Sequence, residues 1–188
     1  MAERLSRVLD RLIEGRDLTE EEAGELLAAL TDPATPGPLA GALLAALRAK
    51  GETAEEIRGL ATAMRELARD PGIGDTAGLT DVVGTGGDGS GSLNLSTGAA
   101  LLAAACGVPI VKHGNRAVSS KSGSADTLEV LGLCLPLDEA GARRCLKENG
   151  FTFLFAPYYH PAMKTVAQVR GAMGVRTVFN ILGPLTNP

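Results

Sequence analysis

Thr80-Asp81-Val82-Val83-Gly84-Thr85-Gly86-Gly87-Asp88-Gly89 carries an apolar run straight into a glycine-rich loop. Thr80 to Val83 reads as a β-strand. Ser90, Gly91 and Ser92 delay the next element. Leu95 to Cys106 then reads as a helix of small residues and Val108 to Val111 as a second strand. Helical patterns over Ser124 to Leu133 and Asp138 to Asn149 follow. A strand over Phe151 to Phe155, a helix over Pro161 to Met173 and a short extended or helical run over Thr177 to Ile181 complete the series. Strands alternating with helices predict an α/β domain with a mainly parallel sheet. Three strands are few for such a sheet, and the sequence stops at Leu185-Thr186-Asn187-Pro188. The expectation is an apparently truncated sheet, in the front part of a longer protein.

Upstream of Pro71 the texture is different. Residues 1–70 hold nine Lys/Arg and fourteen Asp/Glu, against nine and eight in residues 71–188. Leu5, Val8, Leu9, Leu12 and Ile13 recur at helical spacing. Thr19 with Glu22, and Thr53 with Glu56, read as capping boxes that start a second and a fourth helix. Ala23, Leu26, Leu27 and Leu30 line the second. The prolines between Asp32 and Pro38 make a connection. Leu39, Leu43, Leu44 and Leu47 line a third helix, ended near Gly51. Ile57, Leu60, Ala61, Met64 and Leu67 line the fourth. Four helices of this length bury little alone, so residues 1–70 are expected to form a small helical domain that packs either on the rest of the chain or on a second copy, with pairing to a second copy favoured. Residues 71–188 are expected to form the first part of a larger α/β domain.

Composition excludes several classes. At 45% hydrophobic residues the chain buries a core and is no disordered tail. A net charge of -4 gives no basic nucleic-acid footprint, and with aromatics at 3% and no Trp there is no stacking platform. Cys106, Cys134 and Cys145 form neither a metal pair nor a disulfide framework; they read as buried small hydrophobes in a reducing compartment. Met1 to Asp10 is a charged helix start, not a signal peptide, and no apolar run suffices to span a membrane. A soluble cytoplasmic protein is expected.

Gly84, Gly86 and Gly89 satisfy G-x-G-x-x-G, but the loop is not that of a dinucleotide fold. The helix is delayed, and no Asp or Glu occurs between Asp88 and Asp126. No Gly-Lys-Ser/Thr closes it as an ATP-type phosphate loop. It still suits an anion, because glycines let successive N–H groups converge on phosphate oxygens. Asp88 would repel a phosphate directly; it makes sense holding a loop N–H, an ammonium or a magnesium-bound water. Asn94, Ser96 and Thr97 sit where the next helix begins, where N–H groups and hydroxyls favour phosphate. The alternative is a plain connection with Ser96 or Thr97 as a simple cap.

Lys112-His113-Gly114-Asn115-Arg116 follows the strand Val108 to Val111, and strand ends are where α/β proteins bind ligands. Lys112 is a candidate diphosphate partner. His113 and Asn115 could bind a flat polar substrate, with a structural role for His113 equally open. Ser119, Ser120, Lys121, Ser122, Gly123 and Ser124 continue the polar run. Arg116 has a structural alternative, a pair with Asp126 or Glu129. For His160, in Tyr158-Tyr159-His160-Pro161, packing at a helix start is favoured. Arg170 reads as a solvated face unless the substrate carries a carboxylate, which Arg holds bidentately. Gly183-Pro184 reads as a sharp turn.

Taken together, Gly84-Thr85-Gly86-Gly87-Asp88, Asn94-Leu95-Ser96-Thr97, Lys112-His113-Gly114-Asn115-Arg116, Ser122-Gly123-Ser124-Ala125-Asp126 and Val175-Arg176-Thr177-Val178-Phe179-Asn180-Ile181-Leu182-Gly183-Pro184-Leu185-Thr186-Asn187-Pro188 resemble the anthranilate phosphoribosyltransferase family. The resemblance runs from the first helices to the last residue. Pyrimidine nucleoside phosphorylases share the general fold and a related glycine loop, but fit the later runs poorly.

The resemblance implies a small helical domain joined to a larger α/β domain, of the class III nucleoside phosphorylase/phosphoribosyltransferase type, pairing as a homodimer through the helices. It implies attack by the amine of anthranilate on C1 of phosphoribosyl pyrophosphate, with magnesium, in tryptophan biosynthesis. Gly84, Gly86, Gly87, Asp88, Asn94, Ser96, Thr97, Lys112 and Ser124 would bind phosphoribosyl pyrophosphate, with Ser96 also a magnesium ligand. Gly84, His113, Asn115, Arg170 and Gly183 would face anthranilate, with His113, Asn115 and Arg170 positioning it. An acidic Asp-Glu pair for a second magnesium would lie beyond Pro188. A nucleoside phosphorylase, a relative with another acceptor, and a phosphate-metabolite-binding or nucleic-acid-binding protein are the competing readings.

Overall fold

The computed structural model describes residues 2–84, 93–117 and 122–188. Its helices and strands, in chain order, are α1 (Ala2–Ile13), α2 (Glu20–Thr31), α3 (Gly37–Lys50), α4 (Ala54–Glu66), α5 (Leu95–Ala105), β1 (Ile110–Gly114), α6 (Ser124–Val130), α7 (Glu139–Asn149), β2 (Phe151–Phe155), α8 (Ala156–Tyr159), α9 (Met163–Met173) and α10 (Phe179–Leu185). Contacts divide the chain into two compact units. One comprises Met1–Ala68 with His160–Thr186, the other Arg69–Tyr159 with Asn187–Pro188. The composition changes at Pro71, but packing also groups α9 and α10 with the first four helices.

In the helical unit α1 pairs with α3 and α2 with α4, while α9 rests on α2 and α3 and α10 on α4. Both expected capping boxes are formed. Thr19 and Thr53 accept from the N–H of Glu22 and Glu56, whose carboxylates accept from the Thr19 and Thr53 N–H groups. Leu26, Leu27, Leu30, Leu43, Leu44, Leu47 and Leu60 are buried in one core with Val166, Phe179 and Leu182. Two residues assigned to apolar stripes lie outside it, at the C-terminal ends of α1 and α4: Ile13 is 68% exposed and Leu67 43%. Gly59 lets α4 approach α2 closely; a Cβ there would collide with the Glu20 carbonyl. Gly183 and Pro184 lie inside α10 rather than in a sharp turn. The Thr177 N–H donates to Asn180 Oδ1 at 3.0 Å and helps begin that helix.

In the α/β unit β1 and β2 run parallel, in register from Ile110 with Phe151 to Gly114 with Phe155. Side chains alternate across the sheet. Ile110, Phe151, Phe153 and Phe155 pack with Ala100 of α5 and Ala125 and Leu128 of α6; Val111 and Leu154 pack with Ala142 of α7 and Tyr159. The expected strand from Thr80 to Val83 is reduced to one parallel bridge, Thr80 with Ile110. Beyond Thr80, side chains take up three of the four backbone groups that would have paired in the next rung. The second strand is also displaced: it begins at Ile110 and runs to Gly114, so Lys112 and His113 lie within it and not in a following loop. Cys106 and Cys134 are exposed and Cys145 half-buried, contrary to the expectation of buried cysteines; all three are free thiols. Among the described residues no helix is long and apolar enough to cross a membrane.

Candidate functional site

Thr80, β1 and β2 run in one direction, so their chain continuations emerge together at the carboxyl edge of the sheet. Val82, Val83 and Gly84 continue the first; Gly114 and Asn115 end the second. Gly84 is exposed, with open space where a side chain would be. Thr85 to Ser92, and with them Gly86, Gly87 and Asp88, fall outside the described residues, as do Val118 to Lys121.

The start of α5 is braced to the start of α6. Asn94 Nδ2 donates to Ser122 Oγ and the Gly123 carbonyl, each at 3.2 Å, and to Thr127 Oγ1. The start of α6 is in turn held against the end of β1. Ser124 Oγ and the Ala125 N–H both donate to the Asn115 carbonyl at 3.2 Å. Small residues make this approach possible: a Cβ on Gly114 would meet Ser124 Oγ and the Phe153 ring, and one on Gly123 would meet the Asn115 carbonyl and the Ala117 N–H. Asp126 accepts from the Ala117 N–H at 2.9 Å and the Gly123 N–H at 2.7 Å. Those N–H groups hold its carboxyl below the usual Asp range. Asn94, Ser96, Ser124 and Asn115 thus stand on one hydrogen-bonded frame of two helix starts and a strand end.

Individual groups differ in availability. Ser96 and Ser124 are half-buried and Asn115 is exposed. Thr97 is 1% exposed, and its hydroxyl is a buried group with no hydrogen bond among the described residues. Lys112 is 2% exposed, and its Nζ donates to the Val82 carbonyl at 2.5 Å. Burial lowers its pKa, against the opposing field of Asp81. His113 is buried, and its N–H donates to Asp81 Oδ2 at 3.4 Å. Burial raises the Asp81 pKa, while Lys112 and the surrounding N–H donors pull it down. Asn187 Nδ2 donates to Asp81 Oδ2 and to the Val111 carbonyl, both at 2.9 Å.

Arg116 takes its structural alternative. It bonds Glu129 at 2.5 Å, lies 4.0 Å from Asp126 and stacks over the Phe155 ring. Arg170 and Gly183 belong to the helical unit. The Arg170 guanidinium is half-buried over the Phe179 ring, and burial lowers its pKa. Gly183 has open space at its Cα. His160 is a packed residue, as expected: it is 3% exposed and its Nε2 N–H donates to the Thr186 carbonyl at 2.8 Å. Asp81 and Asn187 were not singled out from sequence. One signal existed for Asp81, a lone carboxylate inside an apolar β-like run.

Magnesium takes oxygen ligands. Among the described residues no three His, Cys, Asp or Glu side chains cluster as a metal site. The half-buried hydroxyl of Ser96 fits as one oxygen ligand of an ion that takes its remaining ligands from diphosphate and water.

The helical bundle domain of a glycosyl transferase family matches residues 6–68, and the α/β domain of that family matches residues 76–188. The anthranilate phosphoribosyltransferase of Xylella fastidiosa is 49% identical over 97% of this chain, and that of Saccharopolyspora erythraea 50% identical over all of it. The chain spans about half the length of these curated relatives, 53% of each. Among solved structures, the Thermus thermophilus anthranilate phosphoribosyltransferase superposes with a TM-score of 0.88, at 52% identity, over 96% of this chain and 55% of its own. The Saccharomyces cerevisiae enzyme, in complex with phosphoribosyl pyrophosphate and magnesium, superposes with a TM-score of 0.85, at 29% identity, over 99% of this chain and 56% of its own.

Proposed function

The chain belongs to the glycosyl transferase family built from this helical bundle and α/β domain, and we propose that the protein containing it is an anthranilate phosphoribosyltransferase. It transfers the phosphoribosyl group from phosphoribosyl pyrophosphate to the amine of anthranilate, giving N-(5-phosphoribosyl)anthranilate and pyrophosphate in tryptophan biosynthesis. The observation that carries this reading is the 52% identity, with a TM-score of 0.88, to the Thermus enzyme.

In this reading residues 71–188 bind both substrates. Gly84, Gly86, Gly87, Asp88, Asn94, Ser96, Thr97, Lys112 and Ser124 take phosphoribosyl pyrophosphate. The frame of helix starts supports this, since Asn94 and Ser96 stand at the start of α5, whose N-cap makes no side-chain cap bond, and a helix start favours an anion. The burial of the Thr97 hydroxyl favours a backbone contribution from that residue. Gly84, His113, Asn115, Arg170 and Gly183 take anthranilate, with Arg170 on its carboxylate.

The chemistry needs no side-chain nucleophile. The amine nitrogen forms a bond to C1 as the bond from C1 to the diphosphate oxygen breaks, and the amine proton passes to solvent or a nearby acceptor. Positive charge grows on the sugar and negative charge on the leaving group. N–H dipoles and the Lys112 ammonium stabilise the latter in place, without reorganisation. Magnesium, when bound, would neutralise diphosphate charge, with Ser96 as its protein ligand. An aromatic amine is neutral at pH 7, so His113, Asn115 and Arg170 orient the acceptor and need not ionise it.

Residues 1–70 are proposed as the helical domain through which two copies pair, consistent with its short helices. A cytoplasmic location fits three free thiols, two of them exposed. The test is anthranilate fluorescence with the full-length protein. Loss that requires phosphoribosyl pyrophosphate and magnesium together supports the reaction. No loss, or equal consumption of a nucleobase in place of anthranilate, refutes it.

A further inference from the structure

The parallel ladder between Thr80 and β1 stops after one rung. In that rung the Thr80 N–H donates to the Pro109 carbonyl and the Val111 N–H to the Thr80 carbonyl, both at 3.0 Å. Continued in parallel register, the next rung would join the Val82 N–H to the Val111 carbonyl and the His113 N–H to the Val82 carbonyl. Three of those four backbone groups are instead bonded to side chains. The Val111 carbonyl accepts from Asn187 Nδ2, the His113 N–H donates to Asp81 Oδ2, and the Val82 carbonyl accepts from Lys112 Nζ. The three side chains are also coupled to each other. Asn187 Nδ2 bonds Asp81 Oδ2, and the fields of Asp81 and Lys112 act on one another.

This is a polar wedge between the Thr80 segment and β1. A buried N–H or carbonyl left unpaired is unfavourable, so the ladder can open here only because each of these groups has found a side-chain partner. The opening lies at a critical point. Val82 is two residues before Gly84, where the glycine loop leaves the sheet, and His113 and Lys112 are two and three residues before Asn115. A regular rung would hold Val82 against β1; the wedge makes the separation depend on the reach of Asp81, Lys112 and Asn187.

We propose that Asp81 and Asn187 are positioning residues for phosphoribosyl transfer: with Lys112 they replace one rung of the sheet and so set where the backbone of residues 82–84 leaves it and where the Lys112 ammonium lies. The inference rests on the transferase reading above. It assigns to Asp81 and Asn187 an action through Lys112 and the backbone of residues 82–84, with no contact to substrate.

The test uses the full-length protein and the variants Asp81→Ala, Asp81→Asn and Asn187→Ala. Displacing a binding group by a fraction of an ångström to an ångström is worth about ten- to a hundredfold. The alanine variants are therefore expected to raise KM for phosphoribosyl pyrophosphate by at least about tenfold, with KM for anthranilate nearly unchanged. Asp81→Asn retains an acceptor and should recover part of the loss. Amide exchange at His113 should quicken in Asp81→Ala, a readout that needs no turnover. Unchanged kinetics in active variants would overturn the proposal. So would an equal rise in both KM values, or loss of activity that only follows the unfolding midpoint. A wild-type protein that binds phosphoribosyl pyrophosphate but transfers nothing to anthranilate would sink the transferase reading while leaving the wedge to be judged by His113 exchange.

Discussion

Replacing Glu56 by alanine should destabilise the helical unit far more than replacing Glu22, although the two occupy the same place in two identical local motifs. Each is the third residue of a helix and closes a capping box on a threonine. Glu22 bonds the Thr19 N–H at 2.9 Å and pairs with Arg11, and the side chains of that pair are 30% and 33% exposed. Removing it loses half of a cap and a partly solvated ion pair, about 0.5–1.5 kcal/mol. Glu56 is fully buried. Its Oε1 accepts from the Leu18 N–H at 2.9 Å, and its Oε2 from the Thr53 N–H at 2.8 Å and Lys50 Nζ at 2.9 Å. Leu18 is 2% exposed and the Lys50 side chain 4%, so alanine strands a buried N–H and a nearly buried ammonium. Lys50 keeps its 2.7 Å bond to the more exposed Asp17, which softens the loss. The sum is about 3–5 kcal/mol. Urea unfolding followed by far-UV circular dichroism would measure both variants, and a Lys50→Met, Glu56→Gln double-mutant cycle would isolate the pair. Equal costs for Glu22→Ala and Glu56→Ala, or a Glu56→Ala cost under about 1 kcal/mol, would refute the view that burial sets the difference.

Further outcomes are expected. Asn94→Ala removes the brace between the starts of α5 and α6 and should raise KM for phosphoribosyl pyrophosphate about tenfold or more, measured by steady-state kinetics with anthranilate saturating. Gly59→Ala should cost about 1–3 kcal/mol through collision with the Glu20 carbonyl, whereas Gly171→Ala, in α9 with open space around it, should stabilise by up to about 1 kcal/mol in the same urea assay. His160 titrates below the ordinary range because burial disfavours its cation. The unfolded chain therefore binds the proton more readily, and stability present above about pH 6.5 should fall as pH drops toward the folded value. His160→Gln should flatten that slope in unfolding curves taken between about pH 7 and 5.

Much of the helical unit was legible because its signals are local. A capping box needs only residues three apart, and Thr19 with Glu22 and Thr53 with Glu56 formed as read. The leucine stripes of α2 and α3 needed only the helical period. The α/β alternation and β2 were likewise visible as runs. Candidate residues near the sheet edge were found because polar runs and glycines at such places are unusual, though the sequence placed Lys112 and His113 just past a strand that in fact contains them.

What the tertiary structure alone decided are the features whose partners are far apart in sequence. Glu56 caps its own helix by local rule, but its Oε1 meets the buried N–H of Leu18, 38 residues away. Where the Thr80 ladder ends, the Asp81 carboxylate is bonded by Asn187, 106 residues further on. α9 and α10 pack with the first four helices, which no local pattern encodes. Residue type and period specify which face of an element is apolar and where it can start. They carry no information on which distant donor meets a buried acceptor, and it is that meeting, favoured by the cost of leaving buried polar groups unpaired, that put side chains in place of a strand rung, held a buried lysine and shaped the edge of the sheet.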